Sequence, residues 1–426
     1  MATPKIKPRM LFADANGKIY DHPELLLLCR RGTEFGPPRP DEITPLPEES
    51  ELFLLPGRRA VGLDPETGAV EALEENAVAA FVCPGYTSTG LAAYLTDKKP
   101  NTPTLPLFAY TAVGYAAGRL WVCAKKVDED PRQIFKGVSQ RRIQDGAQDW
   151  LKRFPKNRLV KHLMHCALTS CCPAARNLCL GRFEAPLPTA RTCNAACVGC
   201  LSLQPKDSGF PSTQSRLAFA PDAREIVEIM LRHAEREPKP VFSFGQGCEG
   251  EPLTEAPTIA EAIRRFRAAG GKGTVNINTN ASLPDRIPLL AEAGLNAVRV
   301  SLNSARPAFY SAYYRPKGYA FEDVRGAIVA AKESSLYVCL NFLFFPGVSD
   351  TEEELEALSE LIANTRVDFV QLRNLNLDPE LYLKTLAQAE GSPPLGASMG
   401  FLNFKKRLRK SFPDLGFGYF NPYVGG

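Results

Sequence analysis

Apolar and polar positions fall into successive textures along the chain. Over residues 1–130, short apolar runs at 52–55, 78–83, 107–113 and 120–124 recur between turn residues, with no long helical period. Asn16-Gly17 stands between Leu11-Phe12 and Ile19-Tyr20, a hairpin signal. This stretch predicts a β-rich accessory domain. Over 131–185, apolar residues three or four apart at 149–154 and 157–168 predict a helical connector that also carries cysteines. Over 186–390, β-branched runs at 240–244, 274–278, 297–302, 337–345 and 367–372 alternate with helical periods at 222–232, 257–269, 284–293 and 321–333. Thr351 with Glu354 reads as a capping box before an apolar face on Leu355, Leu358, Leu361 and Ile362. Alternating strands and helices imply βαβ units on a parallel sheet. With one more strand before Cys193, the count suits an α/β fold, a partial (β/α)6 TIM-like barrel. Residues 391–426 are left as a tail holding the basic run 405–410.

Composition narrows the class. Of 426 residues, 44% are hydrophobic and 23% charged, enough to bury a large core. Fourteen prolines in the first 110 positions favour loops there. No run of eighteen apolar residues exists, and the block 25–29 is too short to span a bilayer. No membrane span and no secretory leader are expected, which points to the cytoplasm. A net charge of +4 gives no indication of nucleic acid. Twelve cysteines then point to metal or redox chemistry rather than disulfides.

The densest cysteine group is Cys193-Asn194-Ala195-Ala196-Cys197-Val198-Gly199-Cys200, spaced C-x3-C-x2-C. Three thiolates on one short loop can hold three irons of a four-iron cubane and leave the fourth iron open. A structural zinc site would need a remote fourth ligand, with His233 and Cys248 next along the chain.

Further elements follow in order: Gly250-Glu251-Pro252-Leu253, Asn278-Thr279-Asn280-Ala281, Val300-Ser301-Leu302-Asn303, Tyr313-Tyr314-Arg315-Pro316 and Phe345-Pro346-Gly347-Val348-Ser349-Asp350. Together with the cysteine triplet they resemble the radical S-adenosylmethionine (radical SAM) superfamily, with a core similar to the molybdopterin-precursor synthases. The resemblance implies a [4Fe-4S] cluster on Cys193, Cys197 and Cys200, with S-adenosylmethionine at the open iron. It implies cofactor contacts from Gly250, Glu251, Asn278, Asn280, Ser301, Asn303 and Arg315. It implies an anaerobic enzyme that forms a 5′-deoxyadenosyl radical and abstracts hydrogen from a small-molecule or peptide substrate, fed by a donor such as flavodoxin or ferredoxin. Gly199 departs from the aromatic common at that place in the family, and Gln246, Gly247, Cys248 and Glu249 lengthen the next loop. Rival readings are a zinc-binding interaction module and an inactive scaffold that assists a partner enzyme.

Other cysteines leave alternatives open. Cys166, Cys172 and Cys179 could bind an auxiliary iron–sulfur cluster with Cys248 as a remote ligand, or be buried free thiols. Adjacent Cys171 and Cys172 do not easily ligate one metal together. Cys248 could instead act catalytically, relaying a hydrogen atom beside the cofactor. His162 and His165 read more readily as cap or surface residues than as a metal pair. Cys29, Cys83, Cys123 and Cys339 lie in apolar runs and read as core.

Overall fold

The computed structural model describes residues 6–97, 99, 102–389, 391 and 395–425; the opening of the tail at 392–394 lies outside them. The front of the chain forms antiparallel strands. Arg9–Ala13 pairs with Ile19–Leu27 around the expected hairpin, where Gly17 takes φ +81°. The long strands Glu51–Leu63 and Val70–Phe81 pair next to them.

Three helices follow: α1 (Gln140–Arg153), α2 (Arg158–Leu168) and α3 (Pro173–Leu180). Their apolar faces, led by the buried Trp150, Leu163 and Leu178, join the same core as the parallel sheet. Burial of such side chains contributes roughly 1.5–3 kcal/mol each.

That sheet has seven parallel strands in sequence order: Glu184–Pro186, Val241–Phe244, Thr274–Thr279, Ala297–Leu302, Tyr337–Phe344, Phe369–Asn374 and Gly416–Gly418. The last strand comes from the tail. Its Gly-Phe-Gly sequence carries no alternation and gave no strand signal. Connecting helices are α4 (Ala223–Ala234), α5 (Ala256–Ala268), α6 (Ile287–Ala293), α7 (Pro307–Tyr314), α8 (Phe321–Glu333), α9 (Glu352–Thr365) and α10 (Pro379–Ala387), with α11 (Phe401–Ser411) in the tail.

Helix starts and stops follow local chemistry. Asp222 and Glu225 form a reciprocal capping box at α4. Gly294, at φ +106°, ends α6. At α9 the expected box is only half made. The Thr351 hydroxyl accepts the Glu354 N–H, while the Glu354 carboxylate instead accepts from Ser304 Oγ and the Ala305 N–H. A tertiary demand for a buried acceptor takes precedence over the local cap. The basic run of the tail lies on α11, whose other face buries Phe401, Phe404 and Leu408.

The front strands dock at the carboxyl ends of two parallel strands. The Gly32 N–H donates to the Pro346 carbonyl, Thr87 Oγ1 to the Leu372 carbonyl and the Ser88 N–H to Asn374 Oδ1. Arg58 meets Asp378 in a buried ion pair at 2.9 Å. At the opposite end, Asn421 of the tail enters the sheet's inner face. Its Nδ2 donates to Glu184 and Ser243, and its Oδ1 accepts from Gln371 at 3.0 Å.

Candidate active site

The cysteine triplet sits in the loop after Glu184–Pro186 and is held on two sides by backbone. On one side, the Gly250 N–H donates to the Ala190 carbonyl (2.7 Å) and the Glu251 N–H to the Thr192 carbonyl (2.9 Å). A Cβ on Gly250 would run into the Thr192 carbonyl, so only glycine permits this approach. On the other side, the end of α7 pairs with the triplet itself. The Ala196 N–H donates to the Tyr314 carbonyl, the Val198 N–H to the Tyr313 carbonyl and the Lys317 N–H to the Asn194 carbonyl. The Asn194 side chain is a third tie, donating to Ser282 Oγ (2.8 Å) and accepting from Asn280 Nδ2 (2.9 Å).

Glu251 is buried beside this loop. One carboxylate oxygen accepts from the Leu253 N–H and the Thr279 hydroxyl, the other from the Asn280 N–H at 2.8 Å. Burial raises its pKa to about 7, against the lowering effect of those donors. The second oxygen keeps capacity for one more donor. Glu249 is a second buried carboxylate, accepting from the Thr189, Ala190 and Gln246 N–H groups, and burial likewise raises it to about 7.

Burial holds the Cys193 and Cys197 thiols above their usual range, and a bound cation would favour their thiolate forms. Arg216 places Nη2 3.4 Å from Cys200 Sγ, a cation against the third sulfur. Three soft donors on one loop, a cation at the third sulfur and a glycine cradle fit an iron–sulfur cluster.

The other expected residues divide. Asn280 reaches the triplet through Asn194, and Asn278 is tied to the Gly245 carbonyl (3.0 Å) and Asn276 (2.8 Å). Ser301 is half-buried and registers with Asn341, whose buried Oδ1 has no partner. Asn303 Nδ2 donates to the Phe309 carbonyl and Tyr382 Oη, both at 3.2 Å, which fixes the start of α7, while its buried Oδ1 has no partner. Arg315 caps α7 in the left-handed region at φ +47°, and that turn leaves the residue exposed while its carbonyl faces the triplet. Its backbone thereby helps to hold the triplet.

Residues that sequence reasoning missed are Asn194, Arg216, Thr279, Tyr313 and Asn341. Asn194, Thr279 and Tyr313 lie inside the quoted motifs but at positions given no role there, and Arg216 and Asn341 are single polar residues outside them.

The remaining cysteines sort differently from the expectation. Cys166 lies with His162 and Cys248, whereas Cys179 Sγ sits 3.5 Å from Met164 Sδ, packed between helices. Cys171 is exposed, and Cys29, Cys83, Cys123 and Cys339 are buried as expected. Cys248 is not a lone sulfur at the cofactor position; the 245–251 loop turns it toward α2.

Comparison with known proteins bears on residues 187–362, which match the family model described as the radical SAM superfamily. A GTP 3′,8-cyclase of Chlorobaculum tepidum is 34% identical over 229 residues, covering 52% of this chain and 60% of that protein. A GTP 3′,8-cyclase of Limosilactobacillus fermentum is 28% identical over 188 residues, covering 44% of this chain and 52% of that protein. The chain thus spans little more than half the length of these curated relatives. The FeFe-hydrogenase maturase HydG from Carboxydothermus hydrogenoformans aligns with a TM-score of 0.39 at 14% identity, covering 67% of this chain and 70% of that one.

Proposed function

We propose, from the premise that residues 187–362 form a radical SAM domain, that this protein is a radical SAM enzyme. Cys193, Cys197 and Cys200 would hold the [4Fe-4S] cluster. When bound, that cluster supplies the single electron that splits the sulfonium of S-adenosylmethionine into methionine and a 5′-deoxyadenosyl radical. Such chemistry would serve to abstract hydrogen from the substrate.

The residues of the chain serve that purpose by placement. Glu251 offers its remaining acceptor to the cofactor's ammonium group, and Gly250 lets the backbone come close. Asn280 and Asn194 fix the loop's register, and Ser301 with Asn341 present polar atoms on the inner face of a partial barrel. The front strands, docked where the parallel strands end, close the mouth and keep water from the radical. The organisation is a front accessory domain (1–130), connector (131–185), partial barrel (186–390) and tail (391–426), with the barrel sheet starting at Glu184 at the connector's end and drawing its seventh strand, Gly416–Gly418, from the tail.

The observation that carries this reading is the double backbone seam that locks the triplet between Glu251 and the end of α7. No described helix is long and apolar enough to cross a membrane. A reducing cytoplasm with a flavodoxin- or ferredoxin-type donor suits the twelve cysteines, all of them free.

Anaerobic reconstitution followed by reduction with S-adenosylmethionine tests the reading. The expected result is 5′-deoxyadenosine from the wild type and none from Cys197→Ala. No nucleoside from an iron-loaded wild type would favour the assisting scaffold. A colourless protein with zinc in the triplet would favour the interaction module. Because relatives are named GTP 3′,8-cyclase, GTP is the first substrate to try.

A further inference from the structure

A second group of soft donors lies outside the triplet. His162 Nε2 is 3.5 Å from Cys166 Sγ, and Cys248 completes a set whose donor atoms all lie within 4.8 Å of one another. Among the described residues, no other set of three His, Cys, Asp or Glu side chains meets that condition. His162 and Cys166 are one turn apart on α2 and share a face. Cys248 arrives from the loop after Val241–Phe244, a different part of the fold. Both sulfurs are buried and the imidazole is half-buried. Cys172, at the start of α3, donates its N–H to the Cys166 carbonyl at 3.1 Å, which keeps it beside the group.

We propose that His162, Cys166 and Cys248 bind one thiophilic divalent cation of the zinc class, leaving the fourth tetrahedral position to a solvent ligand. Around a tetrahedral zinc, bonds of about 2.3 Å to sulfur and about 2.0 Å to nitrogen set an S···N edge of about 3.5 Å. The His162–Cys166 separation has that value without any ion. A four-iron cubane spreads its terminal ligands wider, because each hangs from a different iron.

The ion has a place in the architecture. It ties α2 to the 245–251 loop, whose next residues are Glu249 and the Gly250-Glu251 pair that seams the triplet. The inference is independent of whether the protein cleaves S-adenosylmethionine.

The test uses the full chain with Cys193, Cys197 and Cys200 replaced by alanine, which empties the triplet. Anaerobic loading with zinc followed by elemental analysis should return one zinc per chain. Cobalt in its place should give thiolate-to-cobalt charge-transfer absorption. Cys248→Ser should weaken zinc binding by about tenfold or more, and Cys179→Ser should leave it unchanged. His162→Gln, at a half-buried position that spares both sulfurs, gives the same loss in a chain whose circular dichroism shows it folded. Hydrogen exchange across 245–251 should slow when zinc is added. The proposal is overturned if the triplet-free chain takes up no zinc, if His162→Gln and Cys248→Ser keep it, if iron with acid-labile sulfide loads instead, or if Cys166 and Cys248 are recovered as a disulfide.

Discussion

The Tyr313 hydroxyl stands 2.5 Å from the point where a side chain on Gly199 would begin. Tyr313 fills the space beside the last cysteine of the triplet, and its carbonyl also holds the Val198 N–H. Gly199→Ala should therefore force the tyrosine to move, at a cost of about 1–3 kcal/mol for overpacking. The next ring atoms lie at 3.4 and 3.5 Å, ordinary or slightly tight contact. Tyr313→Phe in the same chain should then restore most of the lost stability. Urea denaturation of the two single variants and the double variant measures this coupling. Additive effects would show that Gly199 and Tyr313 do not compete for that space.

Gly250 has no such remedy. The atom a Cβ would meet there is the Thr192 backbone carbonyl, which cannot swing aside without breaking the hydrogen bond from the Glu251 N–H. Gly250→Ala should lower iron retention after reconstitution while leaving the rest of the fold intact. Iron and sulfide per chain, read beside circular dichroism, distinguish local from global failure. Full iron loading in the variant would show that the seam does not position the triplet.

Much of this arrangement was legible in the sequence, and the exceptions share a cause. The hairpin at Asn16-Gly17, the parallel strands and the ends of α6 and α8 follow from short-range rules that need only neighbouring residues. Cys193, Cys197 and Cys200 declare themselves by spacing. What stayed hidden depends on distant partners. The strand Gly416–Gly418 forms because the Gly416 N–H finds the Asp368 carbonyl. His162 joins Cys166 and Cys248 only because the 245–251 loop turns toward α2. Asn303 and Arg315 also hold the two ends of α7, a structural role their positions in the sequence did not announce.

Glu354 shows how such a distant partner holds the site. Its carboxylate is buried and accepts from Ser304 Oγ (2.5 Å), the Ala305 N–H (2.6 Å) and Arg306 Nε (3.0 Å). These bonds fix the turn into α7, whose far end carries the triplet seam. Glu354→Ala would leave the Arg306 guanidinium nearly buried without its counter-charge, a loss of about 3–5 kcal/mol. Chemical denaturation measures the size. Arg306→Met in the same background should recover part of it by removing the stranded charge. If Glu354→Ala cost less than about 1 kcal/mol, the turn would be held by packing alone.

The pH dependence follows from Glu249 and Glu251. Burial raises both to about 7 from an ordinary 4.5. Between those values the folded cluster-free chain keeps protons that the unfolded chain has released, so the stability these groups contribute is present at low pH and falls as pH rises. Each group accounts for a few kcal/mol across that window, and the effect levels off above about pH 7. Glu251→Gln cannot ionise and should make the fall shallower, whatever it does to absolute stability. Cofactor binding should run the other way. An ammonium group favours the ionised carboxylate, so S-adenosylmethionine affinity should rise as pH climbs toward 7. Glu251→Gln should weaken it by roughly tenfold or more, as expected for loss of a charged hydrogen bond, and flatten its pH profile. Calorimetric titration of the cluster-loaded protein from pH 6 to 8 reads both effects. An affinity that ignores pH and survives Glu251→Gln would remove Glu251 from the cofactor site.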